Sequence, residues 1–257
     1  MTAEEFLAHA GPLLLTDEAR HNLMLGIAGN VRDLPHLFPS AHFWVVDGAA
    51  AMQTPPYNVL VAKPRDRDAL AALVEEIDVE LPGVTAAVPE VEEFVELWGR
   101  PAELARSDNI WALHELQPPP ASEGEPREAT REDLPLVVDW WSVLGAPDEL
   151  VRQQVEQRLG AGADGGVTLW EVDGKPVSMC GYGSPTPHGI RIGLVYTPPE
   201  QRGRGYAAAV TADVSRRQLE CGRFCFLYTD ASNATAEGIY ARLGYARVCE
   251  SRQFAFA

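Results

Sequence analysis

The sequence is poor in the features that lead a chain to a membrane, a metal or a nucleic acid. No apolar run reaches the roughly 18 residues that a membrane span needs. The first residues, Met1-Thr2-Ala3-Glu4-Glu5, are acidic where a secretory signal is basic, so an unprocessed cytoplasmic protein is expected. Only four cysteines occur, Cys180, Cys221, Cys225 and Cys249. None lies in a C-x-x-C pair or has a histidine near it in sequence, so no metal site is expected and the thiols read as small buried apolar groups. Basic residues are scarce, 21 Lys and Arg against 37 Asp and Glu, for a formal net charge of −16. Such a chain repels nucleic-acid phosphates and anionic membranes, and neither is expected as a partner. The same field attracts cationic small molecules, amines among them, and equally serves solubility.

What is present is the composition of a soluble globular protein, 46% apolar and 23% charged, with room in 257 residues for two domains. The stretch Gln117-Pro118-Pro119-Pro120-Ala121-Ser122-Glu123-Gly124-Glu125-Pro126 holds four prolines and no large apolar residue. It reads as an extended linker, 117–126, between domains at 1–116 and 127–257.

In the second domain a short strand at 127–129 leads to Thr130, which opens a helix with Asp133 three residues on. A second helix is expected over 148–159, between Pro147 and Gly160. A strand over 167–172 turns at Asp173-Gly174 into a return strand. Another strand over 190–196, a helix over 205–220, a strand over 224–229, a helix over 234–243 and a last extended segment over 245–256 complete a mixed α/β order. The first domain reads as a weak repeat. Trp44-Val45-Val46-Asp47-Gly48 echoes Trp170-Glu171-Val172-Asp173-Gly174. A helix over 66–77, a strand over 84–88, a helix over 91–98 and a strand over 110–116 follow in the same order.

The chemistry concentrates in Val195-Tyr196-Thr197-Pro198-Pro199-Glu200-Gln201-Arg202-Gly203-Arg204-Gly205-Tyr206-Ala207, read as a strand, a turn and a helix start. Glycines leave backbone N–H groups able to converge on one anion, the helix adds the positive end of its dipole, and Arg202 and Arg204 add formal charge. The turn suits a pyrophosphate. It lacks the Gly-Lys-Ser/Thr ending of a P-loop and the spacing of a dinucleotide fingerprint.

Here the chain resembles the GNAT superfamily of N-acyltransferases. The family pattern of Arg or Gln, two residues, Gly, one residue, Gly or Ala is met by Arg202, Gly205 and Ala207. Its next motif is met by Asn233, Ala236, Tyr240, Gly244 and Tyr245. The resemblance covers 127–257 well and 1–116 faintly. It implies an α/β (α+β mixed) fold of two GNAT-like domains in tandem, each a central, mostly antiparallel sheet flanked by helices, with a splayed strand pair in the C-terminal domain. The first domain would be a degenerate copy that does not bind CoA, since Lys63-Pro64-Arg65-Asp66-Arg67-Asp68 at the matching place has no glycine and two carboxylates.

The implied activity is direct transfer of an acetyl group from acetyl-CoA to a primary amine of a small molecule or peptide, with no metal. Leu194, Val195, Tyr196 and Thr197 would pair with the pantetheine arm. The N–H of Val195 would bond the thioester carbonyl, and Arg202, Gly203, Arg204, Gly205, Tyr206 and Ala207 would hold the pyrophosphate. Tyr240 would protonate the departing thiolate, a phenol near pKa ~10 against a thiol near ~8.5. Asn233 would bond the cofactor arm or hold a helix start. Many relatives place a glutamate near position 191, where this chain has Arg191. Glu171, Asp230 and His188 are substitutes among which the sequence does not choose. Trp140 and Trp141 belong to the acceptor pocket or to the core. A non-catalytic acyl-CoA-binding regulatory module is the competing reading. Apolar residues on exposed faces could pair chains into a homodimer.

Overall fold

The computed structural model describes residues 1–143, 148–159 and 162–257. Two compact units emerge, one from 1–111, 228–233 and 247–257, the other from 112–227 and 234–246.

The first unit opens with α1 (Ala3–Leu14) and α2 (Asn22–Asp33), two helices in a stretch the sequence reading left unassigned. Thr2 and Glu5 exchange the two hydrogen bonds of a capping box at the start of α1, at 3.2 and 2.8 Å. Phe6, Ala10 and Leu14, spaced four apart, form its buried stripe. The strands β1 (His42–Val46) and β2 (Ala49–Gln53) form a hairpin through Asp47-Gly48. β3 (Val59–Val61), α3 (Arg67–Glu76), β4 (Gly83–Ala87), α4 (Glu90–Trp98) and β5 (Ala102–Leu113) follow. β2 is buried on both faces, which its run of alanines accommodates. Ala50 and Met52 meet the α1–α2 pair, while Ala49 and Ala51 meet Leu70, Leu73, Val91 and Phe94 of α3 and α4.

The second unit repeats this order behind an added strand, β6 (Glu125–Glu128). α5 (Leu134–Ser142) and α6 (Asp148–Leu159) precede the hairpin β7 (Gly166–Val172) and β8 (Lys175–Gly183). Pro147 and Gly160, expected at the ends of α6, lie outside the described residues. β9 (Gly189–Tyr196), α7 (Tyr206–Glu220), β10 (Phe224–Asp230), α8 (Ala234–Arg242) and β11 (Ala246–Phe256) complete the chain. Val167, Leu169 and Met179 meet α5 and α6 on one face of this sheet. Thr168, which alternates with them, accepts a bond from Arg217 of α7 at 2.6 Å, so α7 covers the other face. The mixed α/β, mostly antiparallel architecture expected from the sequence is present.

The units do not divide at the proline-rich segment in the simple manner expected. β11, assigned above to the 127–257 domain, belongs with the first unit: it pairs antiparallel with β4, Ser251 opposite Ala87 and Ala255 opposite Gly83. Nor is 117–126 a free linker. Pro119, Pro120, Ser122 and Pro126 share a cleft with Trp170, Ala209 and Ala212. The Trp170 indole donates to the Glu123 carbonyl at 2.8 Å. The last two residues of the segment, Glu125 and Pro126, already belong to β6 and pair with Glu171 and Trp170 of β7. Among the described residues no helix is long and apolar enough to cross a membrane.

His21, 4% exposed, pins the first unit. Its Nδ1–H donates to the Leu14 carbonyl at 2.8 Å and its Nε2 accepts the Lys63 N–H at 3.0 Å, a pattern that requires the neutral ring. Burial lowers its pKa from 6.5 against the opposing pull of the Leu14 carbonyl, Asp17 and Glu90. The unfolded chain therefore takes up this proton at a higher pH than the folded one, and stability falls as pH drops below about 6.5. Urea unfolding between pH 7 and pH 5 is expected to show a midpoint that declines with pH, and a smaller pH slope in His21→Gln. An unchanged slope in that variant would remove His21 from the account.

Candidate active site

β9 is bound to its neighbours along only part of its length. Its parallel register with β10 joins Gly189 to Phe224, Ile190 to Cys225 and Arg191 to Phe226, and goes no further, although β9 continues to Tyr196. On its other edge, Gly193 faces Gly181 and Tyr196 faces Met179. β9 thus advances three residues where β8 advances two, which is a bulge. Leu194 sits in it at φ +54, a left-handed conformation uncommon for leucine. Val195, next to it, has no partner in the β8 register and lies past the stretch joined to β10. This is the splayed strand pair expected from the resemblance.

The end of the strand is fixed from below. Buried Ser178 on β8 donates its hydroxyl to the Tyr196 carbonyl at 3.0 Å and shares a bond with the Thr197 hydroxyl at 2.8 Å. The Tyr196 ring lies against Trp140 at 5.7 Å. The sequence reading did not single out Ser178 or the strain at Leu194. A serine inside a strand and a leucine at a bulge carry no spacing that marks them.

After β9, Pro199–Gln201 forms one short 3-10 turn and the chain runs through residues 202–205 into α7. Gly203 (φ +79) and Gly205 (φ +84) both take left-handed conformations, which explains the two glycines of the Arg-Gly-Arg-Gly turn. Residues 202–205 are exposed, Tyr206 is buried and Ala207 half-buried. The helical ladder opens with Ala209 N–H on Gly205 O at 3.0 Å, so the N–H groups of 206–208 have no acceptor within the helix. Arg202 Nε donates back to Thr197 O at 3.0 Å and ties the turn to the strand. Ser122 Oγ makes a long bond, 3.4 Å, to the Arg204 carbonyl. Together these features form an open, positively polarised seat for an anion.

The matching helix start in the first unit is already occupied. Asp66 accepts the Ala69 N–H at 2.8 Å, and Arg65 is paired with Asp47 and Asp66 at 2.8 and 3.0 Å. The chain's own carboxylate fills the place an anionic ligand would take.

Tyr240 lies on α8, 8% exposed, with its ring edge-on to Tyr245 at 5.7 Å. Burial, with the neighbouring Cys180 thiol adding, raises its pKa well above 10. Burial also pushes Cys180 up to about 12, which keeps it a neutral thiol as its apolar reading requires. Asn233 precedes α8 in the 228–233 segment of the first unit, and its N–H donates to Asp230 O at 2.9 Å.

The three substitutes for a base are placed differently. Glu171 is an ion-pair partner of Arg127 at 2.8 Å. Asp230 accepts bonds from the Ser232 N–H and hydroxyl, which lower its pKa, as befits a turn residue. His188 is exposed in the segment joining β8 to β9. Trp140 and Trp141 are both buried in the core of the second unit, 8% and 6% exposed.

With this geometry in hand, comparison with known proteins is informative. Residues 172–254 match the family model described as FR47-like protein. A search of curated proteins gives no match. Solved structures share the fold at low identity. A protein from Drosophila has a TM-score of 0.68 at 16% identity, covering 100% of this chain and 97% of its own. A GNAT-family acetyltransferase from Colwellia psychrerythraea has 0.61 at 14%, covering 84% and 85%. A GCN5-related N-acetyltransferase from Kribbella flavida has 0.60 at 17%, covering 90% and 95%. These findings bear out the resemblance. The chain has the fold of GNAT acetyltransferases, and its FR47-like segment spans β8, the released end of β9, the glycine turn and Tyr240.

Proposed function

We propose that the second unit is an N-acetyltransferase that moves an acetyl group from acetyl-CoA to a primary amine. The observation that carries this reading is the run from the bulge at Leu194 to the start of α7. A strand end without a complete partner is followed at once by an anion seat, which suits a ligand with an amide-bearing arm and a pyrophosphate. The backbone of Val195, Tyr196 and Thr197 takes the arm as an added strand. The N–H groups at Gly203, Arg204, Gly205, Tyr206 and Ala207, with the Arg202 and Arg204 guanidiniums, take the pyrophosphate. The neutral amine attacks the thioester carbon, the Val195 N–H bonds the oxygen as it gains charge, and the C–S bond breaks. The amine proton leaves to solvent or a base, and CoA departs as the thiol.

Tyr240 acts on the sulfur in this scheme, with one change from the sequence reading. A phenol buried enough to have a raised pKa is a poorer acid than a free one. It remains protonated at neutral pH and serves as a hydrogen-bond donor to the developing thiolate, with net protonation completed from water.

Incubation of the protein with acetyl-CoA and a panel of amines, following free thiol, tests the reading. Acetyl-CoA binding by calorimetry with no turnover on any amine would establish the regulatory module instead. Gly205→Glu puts a side chain at φ +84 and a carboxylate at the anion seat, and is expected to abolish measurable CoA binding. Binding within threefold of the parent would contradict the assignment of the turn. Tyr240→Phe is expected to lower kcat by up to about 10²-fold while CoA affinity changes little. Equal losses in both would remove Tyr240 from the chemistry.

A further inference from the structure

β1 and β6 are edge strands, and they are built differently. β6 of the second unit carries Pro126 among Glu125, Arg127 and Glu128, which blunts it against further pairing. β1 of the first unit is paired with β2 on one side, and among the described residues no strand lies on its other side. Its residues, His42-Phe43-Trp44-Val45-Val46, include no proline, glycine, Asp, Glu, Lys or Arg, and all of them are partly exposed. Its register with β2 is unbroken from His42 opposite Gln53 to Val46 opposite Ala49. No bulge, charge or proline protects this edge.

The open backbone groups of β1 can be named. In an antiparallel pair the N–H and C=O of one residue point to the same side, and the side alternates along the strand. The Ala50 carbonyl accepts the Ala62 N–H at 3.0 Å, so Ala50 turns its backbone away from β1. Val45, opposite Ala50, and Phe43, opposite Met52, therefore turn theirs away from β2. Among the described residues no backbone bond reaches either of them from outside the hairpin. The strand is held on both faces. Phe43 and Val45 pack on the α1–α2 cluster, with Phe43 against Phe6 at 4.9 Å. Trp44 and Val46 pack on the α3–α4 cluster, with the His42 ring stacked on Trp44 at 5.6 Å. An edge fixed in this way loses little freedom when a strand is added to it.

We propose that two copies of the chain associate through β1, antiparallel about a twofold axis at Trp44. In that register Phe43 faces the partner's Val45 and Val45 faces the partner's Phe43. These are the residues with open backbone groups, so each facing pair exchanges N–H···O=C bonds. Trp44 meets the partner's Trp44 at the axis, in the close kind of pair without backbone bonds, where aromatic rings pack best. His42 faces the partner's Val46. No position in the register sets like charges opposite each other. That singles out a second copy as the occupant, because two chains that each carry −16 can approach through this uncharged edge without apposing carboxylates. The contact is small, so association in about the micromolar range is expected.

Sedimentation equilibrium of the full-length protein is expected to show a monomer–dimer equilibrium. No acetyl-CoA is needed, so the outcome is independent of the acetyltransferase reading. Val45→Pro removes an N–H that β2 does not use, at an edge where proline is tolerated. It is expected to weaken the dimer at least about tenfold with the melting temperature nearly kept. Cysteines read the register, on a background of Cys221→Ser and Cys249→Ser that removes the native thiols not fully buried. His42→Cys together with Val46→Cys is expected to give a disulfide-linked dimer under mild oxidation, because the two positions face each other across the axis. Either substitution alone is expected to give none, since each position lies roughly 13 Å from its own copy in the partner. A parent that stays monomeric at its highest soluble concentration would overturn the proposal and leave the edge to a different chain. A folded Val45→Pro that dimerises as the parent does would overturn it too, as would equal cross-linking by single and double variants or none by the double. Should Val45→Pro fail to fold, the cysteine pair still decides.

Discussion

The incomplete pairing of β9 is the constraint on which the candidate site depends. A strand in the middle of a sheet has its N–H and C=O groups consumed by both neighbours. Here the parallel register ends at Arg191 and the bulge removes Val195 from the register on the other side. Backbone groups become available within a few residues of a helix start whose own first N–H groups have no acceptor in the helix. The left-handed Leu194 is costly, by about 1–2 kcal/mol for a residue with a Cβ. It is held by Ser178, which grips the carbonyl of Tyr196 and the hydroxyl of Thr197, and by the contact of Tyr196 with Trp140. Strain of this kind persists only where neighbours over-determine it, and such places are enriched at functional sites.

Charge is distributed to match. The chain is strongly acidic, yet its second unit sets two guanidiniums, Arg202 and Arg204, at the turn that matters to the proposed chemistry. Other arginines of the chain stand in ion pairs, as Arg127 does with Asp133 and Glu171, or Arg20 with Glu90. In the first unit the equivalent helix start is closed by Asp66 and the nearby arginine is neutralised. The two units thus present the same kind of strand-to-helix turn, open at 202–205 and closed by Asp66.

The legible parts of the sequence were those governed by local rules. The Asp-Gly hairpins, the Thr130 cap and the glycines at 203 and 205 follow from backbone conformations that few residues tolerate, so the residue type reports the geometry. β10 and α7–α8 were placed within one or two residues for the same reason. What escaped was nonlocal. The pairing of β11 with β4 joins residues about 165 apart, as in Ser251 Oγ to Ala86 O, and no nearby residue signals it. The prolines of 117–126 have the composition of a linker, but composition does not reveal that Trp170 and α7 offer a surface to lie on. β5 begins at Ala102, eight residues before the expected strand, because its exposed first half lacks apolar alternation. Arg191 was visible only as a missing acid.

The central claim is that the released end of β9 and the glycine turn hold an acyl-CoA. Amide hydrogen exchange followed by peptide-level mass spectrometry, with and without acetyl-CoA, measures it most directly. The account predicts slowed exchange in peptides covering 194–197 and 203–208, and no comparable change at the closed helix start around Asp66. Slowed exchange at 66–70 with none at 203–208 would contradict it.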